Sequence, residues 1–168
     1  MLIALYIGGH ANDRLSVRLG RWLTLVTQKG GSRVTHAEAI VQEHADGAVD
    51  LASATLRKEA PGGKTGVRIK KHVRLQPGNW RIVDVPQINA AAVQWWFILH
   101  EGDGYDARGA FASVLPIWWS SKGKFFCYQA VCTSAGIAHG ESFTGPSFEA
   151  MVLRFGQDVT DSFFSSRS

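Results

Sequence analysis

Cysteine is scarce in this sequence: two among 168 residues, Cys127 and Cys132. Five apart on one helix, their Cα atoms would stand about 8 Å from each other, outside disulfide reach. A disulfide-stapled scaffold is therefore excluded, and the fold must rest on its core. With 45% apolar residues in a chain of single-domain length, such a core is available. Long apolar runs are also missing. None approaches the roughly 18 residues of a membrane span, so no transmembrane segment is expected. The opening "MLIALYI" has no basic residue ahead of it, and Gly8-Gly9 follows rather than a small-x-small cleavage site. It reads as a first β-strand and not as a signal peptide. Localisation stays open between the cytoplasm and release by lysis or an injection machine.

Charge of one sign is only mildly in excess, at +4. "RIKKHVR" (Arg68 to Arg74) is the only basic cluster, and as a strand it would split its charges over two faces. No nucleic-acid partner is expected. The six tryptophans are not spaced as a stacking platform; Trp95-Trp96 and Trp118-Trp119 each put one ring in the core and one nearer the surface. Nucleotide-binding glycine patterns are absent as well. "GGKTG" (Gly62 to Gly66) lacks P-loop spacing and a following helix, and reads as a connector.

The patterns that are present read in order. Leu2 to Ile7 is a strand. Leu15, Leu19, Trp22, Leu23 and Val26 recur at helical spacing, which predicts an amphipathic helix over 15–27 stopped by Gly30-Gly31. Val34 to Glu43 and Ala48 to Leu56 flank "HADG" as a β-hairpin. Strands follow at Val67 to Leu75 and Trp80 to Val85. Ile88 to His100 and Ala107 to Trp119 have helical composition. A short helix starts at Cys127 and ends at Gly136. A last short helix or strand lies near Phe148 to Phe155, and the tail after Asp161 reads as loose. No linker, repeat or low-complexity run divides the chain, so residues 1–168 form one domain. The class is α+β, an antiparallel sheet with helices gathered on one side.

Cys127 lies at the mouth of its helix. Unpaired N–H groups and the helix dipole favour a negative charge there, as a thiolate or as the oxyanion of a tetrahedral intermediate. The plainer reading is a buried packing cysteine, which fits Cys132, in mid-helix among Ala130, Val131 and Ala135. A nucleophilic thiol needs a base. Of the six histidines, His44 sits in a turn, His72 among lysines, His10 and His139 beside glycine in loops, and His100 at the end of an apolar helix face. These read as solvated or as caps. His36 differs: it lies in a strand of small and apolar residues, with Glu38 two positions on and therefore on the same face. A carboxylate there would orient the imidazole and favour its charged form. If the hairpin turns at Ala45-Asp46, Thr55 and Ser53 come opposite His36 and Glu38, and either hydroxyl is an alternative orienter. A zinc site from Cys127, Cys132, His139 and His36 has no known spacing, and no metal is expected.

Taken in order, "VTHAEAIV", "VDLASATLRK", "GGKTGVRIKKHVRL", "NWRIVDVP", "EGDGYDARG" and "KFFCYQAV" resemble the permuted papain-like cysteine amidases. These are the YiiX-like branch of the NlpC-type cell-wall peptidase superfamily, found in bacteria, phages and prophages. The resemblance covers roughly residues 1 to 155, and the pairing of "THAE" with "KFFC" is its most specific part. It implies a papain-like fold in circularly permuted order, with His36 ahead of Cys127 in the chain. It also implies Cys127 as nucleophile, His36 as base, Glu38 at an acidic position, and Tyr105-Asp106 in a loop before the second helix. The family's Ser-Glu after the cysteine is Tyr128-Gln129 here. The implied activity is a thiol hydrolase cleaving an amide, with a peptidoglycan stem peptide as substrate and no cofactor. The alternatives are a lipid acyl hydrolase or transferase of the same superfamily, and a catalytically silent binding or structural module. Oligomeric state is left open.

Overall fold

The computed structural model describes residues 1–8, 32–56, 65–112 and 122–167. The helix expected over 15–27 and the second half of the one expected over 107–119 lie outside the described residues, as does His10.

Five strands of ordinary length form the frame: β1 (Leu2–Tyr6), β2 (His36–Glu43), β3 (Val49–Thr55), β4 (Gly66–Val73) and β5 (Trp80–Asp84). Three two-residue strands complete the set among the described residues: β6 (Gly104–Tyr105), β7 (Lys124–Phe125) and β8 (Gln157–Asp158). Among the described residues the α-helices are α1 (Ala90–Leu99), α2 (Ala107–Ala112), α3 (Cys127–Ser134), α4 (Gly145–Phe155) and α5 (Thr160–Ser165). The main sheet runs in the order β4-β3-β2-β1-β5-β8, and every pair in it is antiparallel. The fold is thus mixed α+β, an antiparallel sheet packed against helices. Apolar β1, with no charged side chain, takes the place between β2 and β5, where both faces are covered.

The sheet's two faces are built differently. On one, Ala37, Ala39, Ala52 and Ala54 present only methyl groups, so α3 can lie close, with Ala130 against Ala39, Ala52 and Ala54. Val93 and Phe97 of α1 join this layer, and Phe148 and Val152 of α4 pack beside it against Ile3, Leu5 and Val83. Gly140 lies behind α3. A Cβ on it would come 2.7 Å from the Cys132 Cβ, so only glycine lets this turn pack there.

On the other face, Ala4, Ile40, Leu51 and Ile82 pack against Phe163 of α5. This corrects two expectations. The helices are not all on one side, and the chain after Asp161 is not loose. The tail reads as polar, but Phe163 is 6% exposed in the second core layer. Thr160 accepts the Ile82 N–H at 2.9 Å, and Arg167 stacks over the Phe163 ring while pairing with Glu43. The segment near Phe148 to Phe155 is a helix, α4. It starts earlier than its apolar pattern, at a reciprocal cap between Thr144 and Ser147.

Candidate active site

The site is assembled by the starts of two elements. Phe126, fully buried and extended (φ −103°, ψ 172°), precedes α3 and fixes where the helix begins. Cys127 is its first residue, and no described side chain caps that N-terminus. The first-turn N–H groups are therefore directed at whatever lies beyond the thiol. Behind Cys127, Tyr128 packs into the core, stacked on Phe148 with ring centroids 5.1 Å apart. Its hydroxyl donates to the Val34 carbonyl at 3.3 Å, two residues before His36. The bulk of Tyr128 thus goes inward and ties the helix to the strand that carries the histidine. Gln129 is also buried, at 8% exposure.

His36 is the first residue of β2, and its side chain is 24% exposed. Through Nε2 the ring hydrogen-bonds Glu38 Oε1 at 2.9 Å, and the Cys127 side chain is its other electrostatic partner. With Nε2 turned to Glu38, Nδ1 is the nitrogen left to face the thiol. Burial alone pulls the imidazole pKa down. The charge and hydrogen bond of Cys127, then the hydrogen bond and charge of Glu38, outweigh burial and raise it to about 9. The side chain of Glu38 is 1% exposed. Burial pushes the carboxyl up, yet Lys70 and then His36 hold it at about 2. The split of "RIKKHVR" over two strand faces is legible in the sequence, but not that Lys70 meets Glu38. What the sequence does not give is the register: Lys70 and Arg68 share one face of β4, and the β3–β4 pairing sets that face beside Leu51 and Ser53.

The other candidate orienters are placed differently. Ala39 lies opposite Ala52 and Ile40 opposite Leu51, a frame that continues to Ser53 opposite Glu38. Ser53 Oγ, however, donates to the Ala37 carbonyl at 2.8 Å. Thr55 is buried at the end of β3. Tyr105 and Asp106 come next to Cys127 through β6, which runs parallel to β7 with Tyr105 opposite Phe125. Burial, followed by the charges of Cys127 and Asp106, raises the Tyr105 hydroxyl far above its ordinary range. Asp106 accepts the Gly109 N–H at 2.9 Å and so caps α2.

Cys132 is fully buried, both cysteines are free thiols, and burial raises the Cys132 pKa to about 12. Among the remaining histidines, His44 is not solvated as expected. Its Nε2 lies 2.8 Å from the buried Asp50, which also accepts from Lys71 Nζ at 2.8 Å and the His72 N–H at 2.9 Å. That cluster, at the far end of the hairpin, contains no nucleophile and pins the strand ends together. His100 stacks on Trp96 at 4.2 Å and meets Asp103 at 2.7 Å, while His139 is 79% exposed. Among the described residues, no three His, Cys, Asp or Glu side chains are grouped to hold a metal ion, and no helix is long and apolar enough to cross a membrane.

The arrangement brings a thiol, an imidazole and a carboxylate together at a helix N-terminus. No protein-family model, curated protein or solved structure matches the chain.

Proposed function

We propose that this protein is a thiol hydrolase that cleaves an amide bond, on a papain-like fold in circularly permuted order. The observation that carries the reading is the set Cys127–His36–Glu38, with the thiol at the first residue of α3 and the imidazole bonded to Glu38 and coupled to Cys127.

Each group has a chemical task. His36 takes the Cys127 proton, leaving a thiolate beside an imidazolium. The thiolate attacks the carbonyl carbon, and the oxygen becomes an oxyanion within reach of the uncapped N–H groups of α3. As the tetrahedral intermediate collapses, the carbon–nitrogen bond breaks and imidazolium gives its proton to the departing amine. Water, deprotonated by the now neutral His36, attacks the Cys127 thioester and releases the acid. Glu38 keeps Nε2–H directed at itself and so presents Nδ1 to the thiol throughout. The resemblance of "THAE" and "KFFC" to the cell-wall amidases is what supports a peptidoglycan stem peptide as the substrate class.

The test is incubation of the purified chain with soluble muropeptides, following new free amines and product masses. Wild-type protein should release amine, and Cys127→Ala protein should not. Equal release by both, or release from acyl lipids instead of muropeptides, ends the peptide-amidase reading.

A further inference from the structure

Lys70 places its ammonium on both oxygens of Glu38, at 2.5 Å and 2.7 Å. Lys70 is on β4 and Glu38 on β2, with β3 between them. The two side chains together therefore bridge about 10 Å of sheet, two strand spacings, with the Lys70 arm running beside its register partner Leu51. It ends 16% exposed, against a carboxylate that is 1% exposed. A lysine that only needed solvation would not be held in this path, because ordering its long side chain costs entropy.

The charges along the line alternate in the working state: thiolate, imidazolium, carboxylate, ammonium. Without the last, a buried site would carry one uncompensated negative charge. We propose that Lys70 is a positioning residue of this site: by gripping both oxygens of Glu38 it keeps the carboxylate ionised and turned to His36, and so sustains the charged Cys127–His36 pair. This rests on the reading of Cys127 and His36 as the reacting pair.

Glu38 itself supports the assignment. Burial would raise its pKa, and the Lys70 charge is the first influence that lowers it, ahead of His36. Among the described residues, the charged groups facing the line are Cys127 from α3, Glu38 on β2 itself and Lys70 from β4. Arg68 shares the Lys70 face of β4, opposite Ser53. Tyr105 of β6 and Tyr128 of α3 feel the Cys127 charge and stay neutral, each held far above its ordinary range by burial first. A contrary role is physically definable. If Lys70 merely neutralised Glu38, it would weaken the pull of Glu38 on the imidazolium, and removing it would raise the His36 pKa.

The experiment uses the full chain, with NMR titration of the His36 ring and alkylation of Cys127 by iodoacetamide at pH 6. In Lys70→Met protein the His36 midpoint should fall by about one pH unit or more, and alkylation about tenfold or more. Lys70→Arg should restore most of both. On a Glu38→Gln background, Lys70→Met should change neither further. An unchanged or raised midpoint in Lys70→Met overturns the proposal. If that variant does not fold, Lys70→Gln, which keeps a donor but loses the charge, should show the same fall in alkylation, and wild-type alkylation there overturns it equally. Failure of the underlying reading has a separate signature: in wild-type protein, Cys127 alkylates no faster than Cys132 at pH 6.

Discussion

His36 and Glu38, two residues apart on β2, meet side chain to side chain at 2.9 Å. Neighbours at this spacing share a strand face but project side by side, so contact requires both side chains to lean together. Lys70 holds both oxygens of the carboxylate, and the imidazole is long enough to reach Oε1. Glu38→Gln should lower kcat by more than about tenfold, the size of a lost general-base orienter. It should also move the alkaline limb of the pH–rate profile to lower pH. The sign follows from His36. Its protonated form must serve the leaving amine, and activity is lost as pH rises through about 9. Glu38 helps raise that value, so removing its charge brings the loss forward. Ser53→Ala should leave the limb in place, because its hydroxyl serves the Ala37 carbonyl. A superimposable Glu38→Gln profile would transfer the orienting role to Thr55.

The two cysteines should separate cleanly. Cys127→Ala abolishes turnover and leaves a small gap in a site that is 5% exposed, at a cost of about 1 kcal/mol. Cys132→Ser puts a hydroxyl among apolar neighbours against Gly140, and should cost about 1–3 kcal/mol while leaving the chemistry intact. Urea unfolding gives the stabilities, and amine release gives the activities. A Cys132→Ser protein that is stable but inactive would contradict the assignment of roles.

The line Cys127–His36–Glu38 was legible because local patterns announced it: a cysteine at a helix mouth, and a histidine and acid on one strand face. Strand order in the hairpin followed from "HADG" for the same reason. What could not be read was contact across intervening elements. Lys70 reaches Glu38 over β3, a consequence of three-stranded register rather than of any run in the sequence. His44 finds Asp50 only once the hairpin closes and bulges between Ile40 and Gln42. The destination of Tyr128 was equally hidden, since a residue after a helix-start cysteine can turn to the cleft or to the core. The sheet chooses the core, through the Val34 carbonyl and Phe148.

Stability should peak in mildly acidic solution. Glu38 and Asp50 are both held at about 2 in the folded state, against ordinary values of 4.5 and 3.8. Their folded pKa values are depressed, so their contribution is complete above about pH 4.5 and is lost as pH falls towards 2. His36 behaves in the opposite sense. Its folded value is raised to about 9 from 6.5, so its contribution is complete below about 6.5 and is lost as pH rises towards 9. Thermal unfolding across pH should show a plateau between those limits. In Glu38→Gln protein, the acid-side loss should shrink to the Asp50 share. An unaltered acid limb in that variant would show that Glu38 titrates in the folded chain where it does in the unfolded one.

Phe163 offers a test of the corrected tail that is independent of the chemistry. It fills the sheet face opposite α3, against Ile40, Leu51 and Ile82, and Arg167 lies over its ring at 3.6 Å. Removing a buried aromatic ring costs about 3–5 kcal/mol when the surroundings do not collapse. Phe163→Ala should fall in that range, with the urea midpoint shifted and the slope nearly unchanged. The Cys127 alkylation rate at pH 6 should stay at the wild-type value under conditions where the variant is folded, because the site is built from the starts of α3 and β2. A loose tail makes the opposite forecast: Phe163→Ala within about 0.5 kcal/mol of wild type, as for an exposed residue.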